Sequence, residues 1–202
     1  MAIKALFPTF LYHAALGGAG TRFDRTLLDE CQALAASDAA GRKWSAKNYV
    51  GGYTSYGSLD RLHLVSSVFA TLKKRLDPHV AVFARRLRYD MAGRTLAMSD
   101  CWVNVMPAGV VHSLHLHPTS FISGTYYVAV PKGAAALKVE DPRLSRMMAA
   151  PPRQAHVSIP ARAGHVILFE SWLRHEVPPA RFAGDRISIS FNYAWNAKSR
   201  RR

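Results

Sequence analysis

The chain has 202 residues, a length that suits one hydrophobic core and favours one domain over two. It carries 27 Lys and Arg against 13 Asp and Glu, for a formal charge of +14, and 49% of its residues are apolar. That apolar content excludes a disordered chain, no segment is long enough to span a bilayer, and the basic runs Lys73-Lys74-Arg75, Arg85-Arg86 and Ser199–Arg202 are short and accompany no nucleic-acid-binding motif.

Solvated basic surface is therefore the expectation, with no nucleic-acid partner and at most a weak preference for an acidic substrate. Cys31 and Cys101 fit no disulfide framework and no Cys-x-x-Cys motif. The first twenty residues imitate a secretory signal, but Pro8 and His13 interrupt the apolar run and no Ala-x-Ala site follows. An uncleaved N-terminus and a cytoplasmic location are expected.

In chain order, Ile3 to Tyr12 reads as an apolar strand, with Pro8 arguing for a sheet edge. Gly17, Gly18 and Gly20 turn the chain. Asp24 is the expected N-cap of a helix to about Ser37, since Leu27, Leu28, Cys31, Leu34 and Ala35 keep helical spacing. Residues 38–58 are polar, Gly-rich and aromatic, with Trp44, Tyr49, Tyr53 and Tyr56 and no clear period. They read either as a functional lid or binding loop or as an irregular packed segment. Ser58 is expected to cap a second helix with Leu62, Val65, Phe69 and Leu72 on one stripe, ending at Lys73-Lys74-Arg75. Asp77-Pro78 would start a third, burying Phe83 and Leu87 and exposing Arg85, Arg86 and Arg88.

From residue 95 the pattern changes to short strands and turns. Eight are expected: Cys101–Met106, Leu114–His117, Ile122–Val130, Ala136–Val139, His156–Ile159, Val166–Glu170, Arg174–Val177 and Arg186–Ala194. Leu144 to Pro152 is an expected connecting loop. Strands following a helical half predict an α+β fold built on a two-sheet jelly roll. The expected plan is one domain: helical support over residues 1–95, a core over 96–195, and a frayed basic tail over 196–202.

The chemistry concentrates in that core. Residues two apart on a strand share a face, so His115 and His117 would aim two imidazoles into one space. His112, three positions before His115, should face the other way. His175 is a third candidate ligand. Arg186-Ile-Ser188-Ile-Ser190 is an alternating strand that sets a cation beside small hydroxyls.

These segments carry a resemblance. His115-Leu-His-Pro-Thr-Ser-Phe-Ile-Ser-Gly-Thr-Tyr-Tyr127, Glu140-Asp-Pro-Arg143, Glu170-Ser-Trp-Leu-Arg-His175 and Arg186-Ile-Ser-Ile-Ser-Phe-Asn192 appear in the order seen in one family. The sequence resembles the iron(II)- and 2-oxoglutarate-dependent dioxygenase superfamily, with its double-stranded β-helix core, across roughly residues 100–195. The resemblance implies iron(II) as metal, 2-oxoglutarate as cosubstrate, and hydroxylation of a small molecule or a peptide. By it, His115 is the first ligand and His175 the distal histidine. Arg186, with Ser188 beside it, pairs with the far carboxylate of 2-oxoglutarate. Asn104 and Tyr127, on neighbouring strands, are further candidates for cosubstrate contact.

The superfamily usually places an acid two residues after the first histidine, and here that residue is His117. Glu140, Asp141 and Glu170 are the acids between His117 and His175, and Glu140 and Asp141, in a Pro-flanked turn, are not evident substitutes. Three imidazoles suit iron(II) but also suit zinc. Two other readings stay open: a three-histidine cupin-like metalloenzyme without 2-oxoglutarate, and a non-catalytic jelly-roll binding module. Oligomeric state is not legible, a homodimer being one option.

Overall fold

The last strand shows how this sequence builds its sheet. In β10 (Arg186–Trp195), Ile187, Ile189, Phe191 and Tyr193 alternate with Arg186, Ser188, Ser190 and Asn192, so one face is greasy and the other polar. A computed structural model describes residues 1–17, 20–91, 93–143, 145, 148 and 154–196. In it β10 lies between β3 (Leu96–Met106) and β5 (Ile122–Ala129). β8 (His165–Glu170) and then β1 (Leu11–Ala15) extend the sheet beyond β5, and β2 (Tyr53–Thr54) closes it beyond β3. A second sheet has the order β4 (His112–His115), β9 (His175–Val177), β6 (Leu137–Glu140), β7 (His156–Ile159). Every strand pair in both sheets is antiparallel.

The greasy face of the larger sheet packs on helices. Leu27 and Cys31 of α1 (Arg22–Ser37) and Phe69, Leu72 and Leu76 of α4 (Ser67–Leu87) share one core with Val103, Ile189 and Phe191. The opposite face meets the second sheet, where Met106, Tyr127 and Phe169 pack with Leu137, Val139 and Val177. Adjacent residues thus serve different cores: Tyr126 faces the helices and Tyr127 the space between the sheets. No helix among the described residues is long and apolar enough to cross a membrane.

Several expectations change. Residues 3–10 form no strand; β1 begins at Leu11, although it is an edge strand as Pro8 suggested. The N-cap of α1 is Thr21, with Asp24 three residues inside returning the bond in a capping box. The expected loop 38–58 contains α2 (Ala39–Asn48) and β2. Asp38 starts α2 by accepting from Gly41 N at 2.9 Å, and its other oxygen takes Tyr53 Oη at 2.9 Å and Ser58 Oγ at 2.5 Å. Only Gly41 and Ser45 of α2 are buried, so it has no apolar stripe for periodicity to find.

Ser58 caps nothing; a short α3 (Leu62–Val65) precedes α4, and Val65 is exposed rather than in the stripe. α4 then runs through Pro78 without restarting. A mid-helix proline costs about 3 kcal/mol, and here Leu72, Leu76, Val80 and Phe83 lie buried on both sides of it. Arg85, Arg86 and Arg88 are exposed as expected. The 144–152 loop and the 196–202 tail fall mostly outside the described residues.

Candidate active site

The polar row of the larger sheet forms the floor of the site. Across β10 and β3, Arg186 faces Met106, Ser188 faces Asn104, Ser190 faces Trp102 and Asn192 faces Asp100. Across β10 and β5, Ser188 faces Tyr127 and Ser190 faces Thr125. The smaller sheet supplies the histidines as the roof. His115 pairs with His175 across β4 and β9, and His117 follows just past the end of β4, tied by its backbone N–H to Ser171 O at 2.9 Å. The alternation argument expected β4 to reach His117. The strand stops at His115, yet the ring still converges on its neighbours.

His115, His117 and His175 each offer a ring nitrogen, all within 4.8 Å of one another. Ring centroids lie 4.3 Å apart for His115 and His175, and 5.1 and 5.2 Å from each to His117. Two local contacts orient the set. His115 Nδ1 meets Ser113 O at 2.6 Å and His175 Nδ1 meets Leu173 O at 2.8 Å. A carbonyl can only accept, so both Nδ1 atoms carry the proton and both Nε2 atoms keep a lone pair. That is the arrangement by which backbone carbonyls fix metal-binding histidines.

Burial also keeps these rings neutral. It lowers His175 to about 4, with His115 adding to the effect and the Leu173 carbonyl opposing it. It lowers His117 to about 2, with His175, His115 and His112 contributing. His115 is lowered by burial as well, against the Ser113 carbonyl. At neutral pH the site presents three uncharged donors, as a divalent metal requires.

His112 does not face away. Its ring stacks on His115 at 4.5 Å and 14°. The pairing of β4 with β9 slips between His112 and His115, and that bulge cancels the alternation. Burial, then His115, His175 and Arg186, lower His112 to about 3.

The other end of this space is unusual in its loose ends. Arg186 is 2% exposed, and among the described residues no carboxylate pairs with it. Its Nη1 reaches Met106 Sδ at 3.3 Å, its Nε has no partner, and its guanidinium carbon lies 5.1 Å from the centre of the Tyr127 ring. The Tyr127 hydroxyl and Asn104 Oδ1 are buried and unpaired too, while Asn104 Nδ2 donates to Ser190 Oγ at 3.0 Å. Burial pushes the Tyr127 phenol up, with Arg186 opposing. Arg186, Ser188 and Asn104 line one small inner cavity with the three histidines. Ser188, 3% exposed, stands one pleat from Arg186 on the same face.

Buried polar groups normally find partners. A cluster of unpaired ones around an unneutralised guanidinium is a socket for an anion with several oxygens, and a carboxylate meets that description.

Residues 100–192 match the family model described as "Putative 2OG-Fe(II) oxygenase". The matched stretch is 93 of the 202 residues and contains His115, His117, His175 and Arg186. Several solved structures share its fold at low identity. A prolyl-4-hydroxylase from Pseudomonas putida is 16% identical with a TM-score of 0.62, covering 94% of each chain. HygX from Streptomyces hygroscopicus, solved with nickel and 2-oxoglutarate, is 14% identical with a TM-score of 0.65, over 92% of this chain and 83% of that one. The epimerase SnoN, solved with Fe3+, alpha ketoglutarate and nogalamycin RO, is 16% identical with a TM-score of 0.67, over 92% and 79%. No curated protein matches the sequence.

The candidate residues expected from sequence converge: the three histidines, Arg186, Ser188 and Asn104 line the inner cavity, and Tyr127 stands beside Arg186. Two contributors were not anticipated. His112 was hidden by the bulge. Tyr49, at the end of α2, packs its ring 5.3 Å from His112, and its buried hydroxyl has no partner. Its signal was the aromatic run in residues 38–58, of which Trp44, Tyr49 and Tyr56 line a larger outer cavity of about 480 Å³. Tyr53 instead sits in the helix-side core. His112, His115 and His117 line both cavities, so the histidines stand at the junction.

Proposed function

We propose that the chain is an iron(II)- and 2-oxoglutarate-dependent dioxygenase that oxidises a C–H bond of a small molecule or a peptide. The observation that carries this reading is the buried, unneutralised Arg186 across one cavity from three neutral histidines. His115, His117 and His175 would hold the metal through Nε2. Bound iron would supply oxygen activation coupled to decarboxylation of the cosubstrate. Arg186 would pair with the far carboxylate of 2-oxoglutarate, with Ser188, Tyr127 and Asn104 around it. Burial keeps water from competing for that pair. With His117 where an acid is usual, three neutral donors leave the metal with its full positive charge.

The two antiparallel sheets enclosing the site support a double-stranded β-helix core. α2, from the first half, walls a cavity floored by strands of the second, which supports one domain over residues 1–202. Two free, buried thiols, Cys31 and Cys101, suit a cytoplasmic setting.

Anaerobic titration with iron(II) and then 2-oxoglutarate should produce a visible charge-transfer band, and oxygen should then yield succinate. Iron-loaded protein that gives neither is not a 2-oxoglutarate enzyme. A three-histidine metalloenzyme would then be the better account of the same ligands.

A further inference from the structure

The outer cavity has the opposite electrical character to the rest of the molecule. Lys and Arg make up 27 of the 202 residues, yet among the described residues no lysine or arginine lines this cavity. Its charged side chains are Asp60 and Asp100, both half-buried. Asp100 has one oxygen engaged: Oδ2 accepts from Ser99 Oγ at 2.7 Å and from Asn192 Nδ2 at 3.1 Å. The Asp60 carboxylate has no hydrogen bond or ion pair among the described residues.

Two carboxylates in a cleft do not name a ligand by themselves. The same wall holds the ring of Tyr49, 5% exposed and 5.3 Å from that of His112. A file of rings also runs inward from the rim: Trp44 to Tyr56 at 6.2 Å, Tyr56 to Trp102 at 5.1 Å, and Trp102 to His117 at 5.8 Å. Trp44 is seated deliberately, for a Cβ at Gly57 would lie 2.3 Å from its ring. Aromatic faces and carboxylates without an ion pair attract the same kind of group, a cation.

We propose that the substrate presents a cationic nitrogen, an amine or a guanidinium, that sits among Trp44, Tyr56 and Trp102 and pairs with Asp60 and Asp100. An anionic group would meet two carboxylates and electron-rich ring faces with no lysine or arginine to receive it. A neutral apolar group would cover Asp60 without supplying a partner. The proposal names the substrate class for the oxygenase reading and rests on it. It also reverses what the +14 charge of the whole chain suggests, because binding is decided by the groups lining the cavity.

The test is calorimetric titration of protein loaded anaerobically with iron(II) and 2-oxoglutarate. The probes are the N-acetyl amides of lysine, arginine, norleucine and glutamate, with butylamine to separate a free amine from a peptide side chain. The lysine or arginine amide, or butylamine, should bind at least ~10-fold more tightly than the norleucine amide, a ratio equivalent to about 1.4 kcal/mol. The glutamate amide should bind most weakly. In the double variant Asp60→Asn/Asp100→Asn the preference for cations should collapse while norleucine amide affinity is retained. The proposal is overturned if the neutral or acidic probe matches the cations, or if the double variant keeps the preference. The charge-transfer band on the same samples reads the oxygenase assignment separately. Its absence beside a retained cation preference would overturn that assignment and uphold the cavity's selectivity.

Discussion

The two ends of the site are electrical opposites built on one sheet. At the inner end stand a buried guanidinium and the unpaired Tyr127 hydroxyl, which suit an anion; at the outer end stand two carboxylates and ring faces, which suit a cation. Both stand on the polar row of β10 and its neighbours, with the histidines between them. The contrast teaches that net charge describes a protein's surface and says little about its cavities. The chain is strongly basic, and still the one arginine at the inner end and the two aspartates at the outer end give each cavity its sign.

The largest expected effect comes from removing the pivot. His175→Ala deletes the buried ligand candidate, and its iron(II) affinity should fall by more than the ~10–100-fold typical of losing a supporting partner. Metal titration checks this, and the outer end should keep its cation preference. Retained tight iron binding would exclude His175 from the ligand set.

Arg186→Ala should weaken 2-oxoglutarate binding by ~3–5 kcal/mol, the scale for breaking a buried ion pair, and leave iron affinity nearly unchanged. Thermal unfolding without ligands should move the other way. An unpaired charge removed from a buried site no longer opposes folding, so the variant should melt higher than the parent. A variant that binds 2-oxoglutarate as well as the parent would move the anion socket away from Arg186.

Phe69→Ala is the control that touches neither end. Phe69 is fully buried between α4 and the helix-facing side of the larger sheet. Its loss should cost ~3–5 kcal/mol of stability by denaturant titration. Ligand preferences of the folded fraction should be unaltered. If the cation or anion selectivity shifts as well, the two faces of the sheet are more tightly coupled than their separate cores imply.

Tyr127→Phe is the mildest change and the sharpest in sign. Its buried hydroxyl lacks a partner, and an unsatisfied group of this kind costs ~1–3 kcal/mol. Stability of the ligand-free protein should therefore rise, while 2-oxoglutarate affinity falls by a factor smaller than for Arg186→Ala. Equal affinity would mean that the hydroxyl has no role in holding the cosubstrate.

How much of this was legible in the sequence depends on whether a feature repeats. Alternation in Arg186–Asn192 is strict, so the polar and apolar faces of β10 follow from the residues alone, and Arg186 and Ser188 lie where that pattern puts them. His115 and His117 converge as the spacing suggested, but not by alternation, since β4 ends at His115 and His117 is placed by its backbone bond to Ser171. Features that break a repeat were not legible. One slip in the β4 register turned His112 from an outward residue into part of the histidine stack. α2 has no apolar stripe, and its start is set by Asp38, whose three donors come from as far away as Ser58. Pro78 is a local stop signal that the burial of Leu76 and Val80 overrides. The apolar run before Leu11 looked like a strand but had no partner to pair with, and most of it is exposed.

Strand β10 also acts as a ruler. Arg186 stands at the inner end and Asn192, bonded to Asp100, at the outer cavity, six residues apart. An extended strand spaces them by roughly 20 Å, and pairing with a strand on each side keeps that length from changing. On the proposed function, with the metal held by the histidines between the two cavities, the position oxidised would be counted from the substrate's proposed cationic nitrogen. In a series of substrates differing only in chain length, oxygen should enter at a constant distance from the cationic group, and lengthening the far end should leave the regiochemistry untouched.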